Sequence, residues 1–186
     1  MRRSFTTDFL LRPLEPRAPG LQLATPREAA VLIAVLDKPE PSILLTRRTS
    51  TLRHHGGQVA LPGGRVDATD PDHAAAALRE AWEEVGLPPS EVQPLGRLNP
   101  YHTVSRYRIT PVVGLAPADF PWQLSTEEVD AVFEVPLSVV LDLNAYQVLT
   151  IPRLGQSHDV YFLPWNGWLI WGATAAIFQD LALHLR

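Results

Sequence analysis

Three glutamates crowd the end of one predicted helix: Glu80, Glu83 and Glu84, preceded by Arg79. Residues three and four apart share a helix face, so these carboxylates repel one another. Glu83 and Glu84 also fall in the final turn, where negative charge opposes the macrodipole at a cost of roughly 0.3–1 kcal/mol each. A divalent cation among them reverses the sign. Carboxylate oxygens suit hard ions such as Mg²⁺ or Mn²⁺, and Mg²⁺ commonly bridges protein carboxylates and substrate phosphates. Arg79 can pair with Glu83 at i+4 and hold it in place. An acidic helix end is ordinarily a solvated face, but the loop before this helix shifts the balance.

That loop is Leu61-Pro62-Gly63-Gly64-Arg65. Paired glycines after a proline let the backbone approach a ligand closely and aim carbonyls at it. Gly63-Gly64, then Arg79-Glu80, Glu83-Glu84 and Gly86-Leu87, resembles the Nudix box of the Nudix hydrolases, over about 64–87. Gly64 matches the box's leading glycine. Asp70 stands where the family has its first glutamate, one extra residue separates it from Arg79, and Ala81 is small for its aliphatic position. The stretch from Arg79 to Leu87 otherwise follows the pattern.

Upstream, Leu44-Leu45-Thr46-Arg47-Arg48, then Arg53, Gly57 and Leu61-Pro62-Gly63-Gly64, is similar to the signature of the coenzyme A pyrophosphatase branch. Thr49 replaces the usual Ser or Ala, and Leu61 the usual Phe. The resemblance implies an α/β/α sandwich on a mixed β-sheet. It implies divalent-metal-dependent hydrolysis of coenzyme A, and of acyl-coenzyme A species, to 3′,5′-ADP and 4′-phosphopantetheine. Glu80, Glu83, Glu84 and Arg79 are then the catalytic group. Glu80, Glu83, Glu84, the Gly64 carbonyl and Glu128 are the candidate ligands for Mg²⁺ or Mn²⁺. Arg48, Arg53, Gly57 and Gly63 are the candidate substrate-binding residues. Arg47 reads as a structural ion pair, and His54 and His55 as loop residues. The alternatives are a Nudix hydrolase for another nucleoside diphosphate derivative, and a Nudix-like binding module without catalysis. Three retained acids argue against the second, since a pure binder needs no metal cage.

The elements that must carry these residues are legible in outline. Asp70 reads as N-cap and Pro71 as the first helical residue, with Asp72 adding charge to the first turn. Gly86 suits the left-handed position past the helix end, and Pro88-Pro89 follow it. The helix is therefore predicted over about Pro71–Val85. Ala29–Leu36 is a continuous apolar run, long enough for a buried central strand. Ser42–Arg47 reads as its hairpin partner, and Gln58–Leu61 as a short strand into the glycine loop. Glu91–Leu98, Tyr107–Ala116, Val129–Val135, Tyr146–Ile151 and Asp159–Leu163 read as further strands. Pro111 directs the second of these to an edge or a bulge. A short helix opens at Pro136, and a final amphipathic helix spans about Ala173–Leu185. Residues 1–28 read as an irregular lead-in, with Phe5, Phe9, Leu10 and Leu11 in a short packed helix. Trp82, Trp165, Trp168 and Trp171 are expected to pack rather than to stack on a substrate.

Composition is compatible with one domain over 1–186: 46% of residues are hydrophobic, and the 18 prolines are spread between apolar runs. A net charge of −4 offers nucleic acid no attracting field, so the expected partner is a small-molecule substrate. The absence of cysteine excludes disulfides and thiol catalysis. Arg2-Arg3 is not followed by an apolar core, which argues against an export signal. Val160–Phe178 carries no charge, but Pro164, Asn166, Gly167 and Gly172 interrupt it; it reads as strand-turn-strand-helix rather than a membrane span. A soluble cytoplasmic protein is the expectation.

Overall fold

The apolar run near the start of the chain forms the spine of the molecule. In a computed structural model, which describes residues 26–50, 56–153 and 156–186, it becomes strand β1, Arg27–Asp37. The lead-in thus ends before residue 28, and the short helix expected from Phe5 to Leu11 lies outside the described residues. Successive side chains of β1 face opposite sides. Ala30, Leu32, Ala34 and Leu36 enter one core cluster, Ile33 and Val35 the other.

The main sheet is mixed and eight-stranded. It comprises β1, β2 (Ser42–Arg48), β3 (Val59–Ala60), β4 (Gly63–Arg65), β5 (Gln93–Arg97), β6 (Tyr101–His102), β7 (Tyr107–Pro117) and β8 (Val129–Pro136). Its central path runs β3-β2-β1-β7-β5, with β4 on β1, β6 on β7 and β8 on β2. β1 and β7 are parallel, Val31 opposite Pro111. β1 and β2 form the expected antiparallel pair only at Val35–Ile43 and Leu36–Ser42. Beyond that they splay, and the β3–β4 segment fills the wedge. There the Leu32 N–H donates to the Pro62 carbonyl at 2.8 Å.

One expectation for β7 fails. It is an interior strand, between β1 on one side and β5 and β6 on the other. Pro111 is tolerated because it falls where β7 changes partners: β5 pairs with Val112–Leu115 and β6 with Arg108 and Ile109. The missing N–H lies in that gap, while the Pro111 carbonyl still accepts from Leu98 N–H at 2.9 Å.

Helix α1 (His73–Val85) covers one face of the sheet; α2 (Leu137–Leu141) and α3 (Ala173–His184) cover the other. β9 (Gln147–Arg153), β10 (Gln156–Trp165) and β11 (Trp168–Trp171) form a separate three-stranded antiparallel sheet. The uncharged stretch at the C-terminal end is therefore strand, turn, strand and helix, and no helix among the described residues is long and apolar enough to cross a membrane. α3 buries Ile177, Phe178 and Leu181 completely or nearly so. Two tryptophans depart from expectation. Trp82 is 51% exposed, on the side of α1 away from the sheet, and Trp171 is 40% exposed, stacked on Phe162. Trp168 does pack, its ring 4.3 Å from that of Phe133.

Candidate active site at the acidic end of α1

α1 starts two residues later than expected, and a different aspartate caps it. The Asp72 carboxylate accepts from the Ala75 N–H at 2.8 Å, so Asp72 is the N-cap and Pro71 lies outside the helix. Asp70 is taken by two other partners. It accepts the Asp67 N–H at 2.8 Å and receives a two-pronged pair from Arg79, both contacts at 3.0 Å. The Arg79 hydrogen bond is the main cause holding Asp70 below the usual carboxylate pKa; it outweighs desolvation, with a smaller contribution from the Asp67 N–H.

Arg79 is a hub. Besides Asp70 it donates to Glu80 at 3.1 Å, to Glu83 at 2.9 Å and to the Arg65 carbonyl at 3.0 Å. The i+4 pairing with Glu83 is as expected, while Asp70, which reads from sequence as a cap, is instead clamped by Arg79. The substitution of Asp for Glu at this box position was the available signal.

The other end of α1 closes as expected. Gly86 has φ 74°, and its N–H donates to the Trp82 carbonyl at 2.9 Å. Close packing below this end comes from alanines. Ala76, Ala77 and Ala81 face Ala30 and Ala34 of β1 in one cluster. Small residues bring the helix near the sheet, and Glu84 is carried down with them to 2% exposure.

The glycine loop meets these acids directly. A Cβ on Gly63 would stand 2.4 Å from the Ala30 carbonyl oxygen, and one on Gly64 would stand 2.4 Å from the Glu80 carboxylate. Gly63 therefore requires glycine for space against β1, while a side chain at Gly64 would displace the Glu80 carboxylate. The Gly63 N–H donates to Glu84 at 3.3 Å, and Arg48, at the end of β2, reaches the same carboxylate at 3.4 Å. Burial pushes the Glu84 carboxyl up to about 8. Arg48 and the Gly63 N–H oppose that shift; the charges of Glu80 and Glu128 add to it. Burial also raises Glu80, against Arg79 and with help from Glu83 and Glu128. Glu128 is an exposed residue of the turn just before β8, yet its charge acts on both.

Glu80 and Glu84 are thus brought to Gly64 and Gly63, with Glu128 near enough for its charge to act on both, whereas Glu83 stays exposed on Arg79. Among the described residues no three acidic or histidine side chains stand near enough to be a ready-made cation site. The donor set nonetheless fits a hard divalent ion. Burial, with neighbouring carboxylate charge, raises Glu80 and Glu84, which is the imbalance such an ion would relieve. Gly57 is exposed with φ 74°, and its N–H donates to the Arg48 carbonyl at 2.9 Å, so it turns the chain back toward β3. Arg53, His54 and His55 lie outside the described residues. Arg47 pairs with Asp130 and lies over Trp168, in keeping with a structural role.

Three comparisons bear on this arrangement. The family model described as "NUDIX domain" matches residues 26–152. An "Uncharacterized Nudix hydrolase NudL" of Escherichia coli (strain K12) is 47% identical over 185 residues, covering 98% of this chain and 96% of the relative. The protein of the same name from Shigella boydii serotype 18 matches equally. Among solved structures, the Nudix hydrolase RenU of M. smegmatis superposes with a TM-score of 0.53 at 24% identity, over 64% of this chain and 76% of that one. A C. elegans Ap4A hydrolase binary complex gives 0.51 at 19%, over 59% and 80%. At those identities the structures speak for the fold alone.

Proposed function

The chain belongs to the Nudix hydrolase family, and on that premise we propose that it hydrolyses the pyrophosphate bond of coenzyme A, and of acyl-coenzyme A species. Enzymes of this family act on pyrophosphate bonds and generally use a divalent cation such as Mg²⁺ or Mn²⁺. The observation that carries the reading is the meeting of Glu80 and Glu84 at the Gly63-Gly64 loop, with Arg48 in contact with Glu84. Arg48 belongs to the upstream motif that resembles the coenzyme A branch. Its contact with Glu84 puts this residue of the motif beside the acids.

In the proposed reaction, water adds to one phosphorus of the diphosphate and the bridging P–O bond breaks, leaving 3′,5′-ADP and 4′-phosphopantetheine. Glu80, Glu83, Glu84, Glu128 and the Gly64 carbonyl are the groups that would hold the cation. Once bound, it would offset phosphate charge and lower the pKa of a water. The chain's own parts do the rest. Arg79 fixes Glu80 and Glu83 from one side while Asp70 fixes Arg79. Arg48 offers a guanidinium fork to phosphate oxygens. Gly63 and Gly64, lacking side chains, let the diphosphate approach the backbone. A carboxylate that the cation leaves free is suited to take the proton that water releases.

The test compares coenzyme A, 3′-dephospho-coenzyme A and ADP-ribose as substrates with Mg²⁺ or Mn²⁺. Preference for coenzyme A over its dephospho form is the expected result. Equal rates on all three would replace this reading with a Nudix hydrolase for other nucleoside diphosphate derivatives, and no hydrolysis of any would leave a binding module.

A further inference from the structure

The last carbonyls of a helix have no partner within it. In α1, Gly86 N–H takes the Trp82 carbonyl and Leu87 N–H reaches that of Ala81, at 2.9 and 3.4 Å. The carbonyls of Glu84 and Val85 are met from outside, by the extended segment that precedes β8. The Ser125 N–H donates to the Glu84 carbonyl and the Gln123 N–H to that of Val85, both at 3.0 Å. Gly86 makes room for this segment: a Cβ there would stand 2.9 Å from the Gln123 Cβ. Phe120, Trp122 and Leu124 pack the segment against the α1 side of the core.

The same segment ends in the turn that carries Glu128. The Ser125 carbonyl accepts from the Glu128 and Val129 N–H groups at 2.9 and 2.8 Å, and the Glu128 carbonyl accepts from Thr49 N–H at 2.9 Å. Thr49 is buried and follows Arg48, whose guanidinium returns to Glu84. The contacts therefore close a ring: Glu84, Ser125, Glu128, Thr49, Arg48 and back to Glu84. Glu128 is exposed and has no side-chain hydrogen bond of its own among those described, so its backbone is what locates it.

We infer that Ser125 is a positioning residue, whose main-chain N–H and carbonyl hold Glu128 in register with Glu84 at the acidic end of α1. The inference rests on the reading of Glu128 as a residue of the active site. Among the described residues these contacts use the Ser125 amide and carbonyl rather than its hydroxyl, so the requirement is for an amide and not for serine.

The experiment measures turnover and the half-saturating Mn²⁺ concentration for S125A, S125P, E128Q and the double variant S125P/E128Q. The substrate is whichever of coenzyme A or ADP-ribose the wild type cleaves. S125A, which keeps the amide, is expected to match wild type. S125P is expected to lose roughly 10- to 100-fold in turnover, the scale of a misplaced group near the reacting atoms, and to need more Mn²⁺. On the E128Q background S125P should add no further loss, because both changes act through one carboxylate. Wild-type kinetics for S125P, or losses that multiply in the double variant, would overturn the inference. An E128Q variant with wild-type turnover would instead remove the reading of Glu128, and this inference with it. Should S125P not fold, a glycine inserted between Glu127 and Glu128 keeps the Ser125–Glu84 contact and displaces the carboxylate; the same comparison with E128Q then decides.

Discussion

The two faces of the main sheet are built on opposite plans. On one, α3 presses Ile177, Phe178 and Leu181 into a cluster with Ile33, Val35, Ile43 and Leu45. On the other, α1 offers Ala76, Ala77 and Ala81, and its deepest long side chain is a carboxylate, Glu84. Burying large aliphatic groups stabilises by about 1.5–3 kcal/mol per side chain. Alanines contribute far less, and a buried acid works against the fold unless something compensates it. The α3 face therefore supplies cohesion, while the α1 face gives some up to bring acids and glycines together.

That contrast can be tested by exchanging what is removed from each side. Glu84→Gln should lower turnover by roughly 100- to 1,000-fold, the range seen when one electrostatic contributor to a transition state is deleted. Its stability in metal-free urea titration should be equal to wild type or higher. Phe178→Ala should do the reverse. It should cost about 3–5 kcal/mol of stability with turnover retained below its melting temperature. Similar stability losses in both variants would dissolve the distinction.

Gly64→Ala comes next. The added methyl meets the Glu80 carboxylate at 2.4 Å, closer than any relaxed contact, so Glu80 must move. Turnover should fall roughly 10- to 100-fold, with little loss of stability, because the atoms that must give way are the far end of one side chain. Steady-state kinetics beside a denaturant curve would separate the two effects.

The pH dependence is subtler. With its pKa raised by burial to about 8 from an ordinary 4.5, Glu84 keeps its proton in the folded chain where the unfolded chain has released it. The stability this lends is complete below about pH 4.5 and is lost as pH rises toward 8. Metal-free urea midpoints should drop across that window. Glu84→Gln should flatten the slope, whereas Phe178→Ala should lower the midpoint at every pH and leave the slope alone. The smallest effect is expected for Arg47→Ala. It breaks a half-exposed pair with Asp130, worth at most about 1 kcal/mol, and should not change turnover.

The box at α1 illustrates how far residue patterns reach. Gly86, the i+4 link from Arg79 to Glu83, and the spine strand were all readable, because each depends on neighbours within a few positions. The N-terminus of α1 was not. Asp70 and Asp72 are both sound capping residues, and the choice fell to Asp72 only because Arg79 claims Asp70. Pro111 misled for a similar reason: its missing N–H is harmless in an interior strand once the partner strand changes at that point. Glu128 could be named as a candidate, but nothing local announced Ser125 or Thr49, which act through main-chain groups that every residue type carries.

Spacing, helix periodicity and steric demands at glycine are short-range properties, and they were enough to specify an acidic helix end facing a glycine loop. The depth of Glu84, the attachment of Glu128 and the exposure of Trp82 depend on segments far apart in the chain packing side by side. Those outcomes follow from backbone groups finding partners and from which alanines let α1 approach β1, quantities that no local pattern encodes.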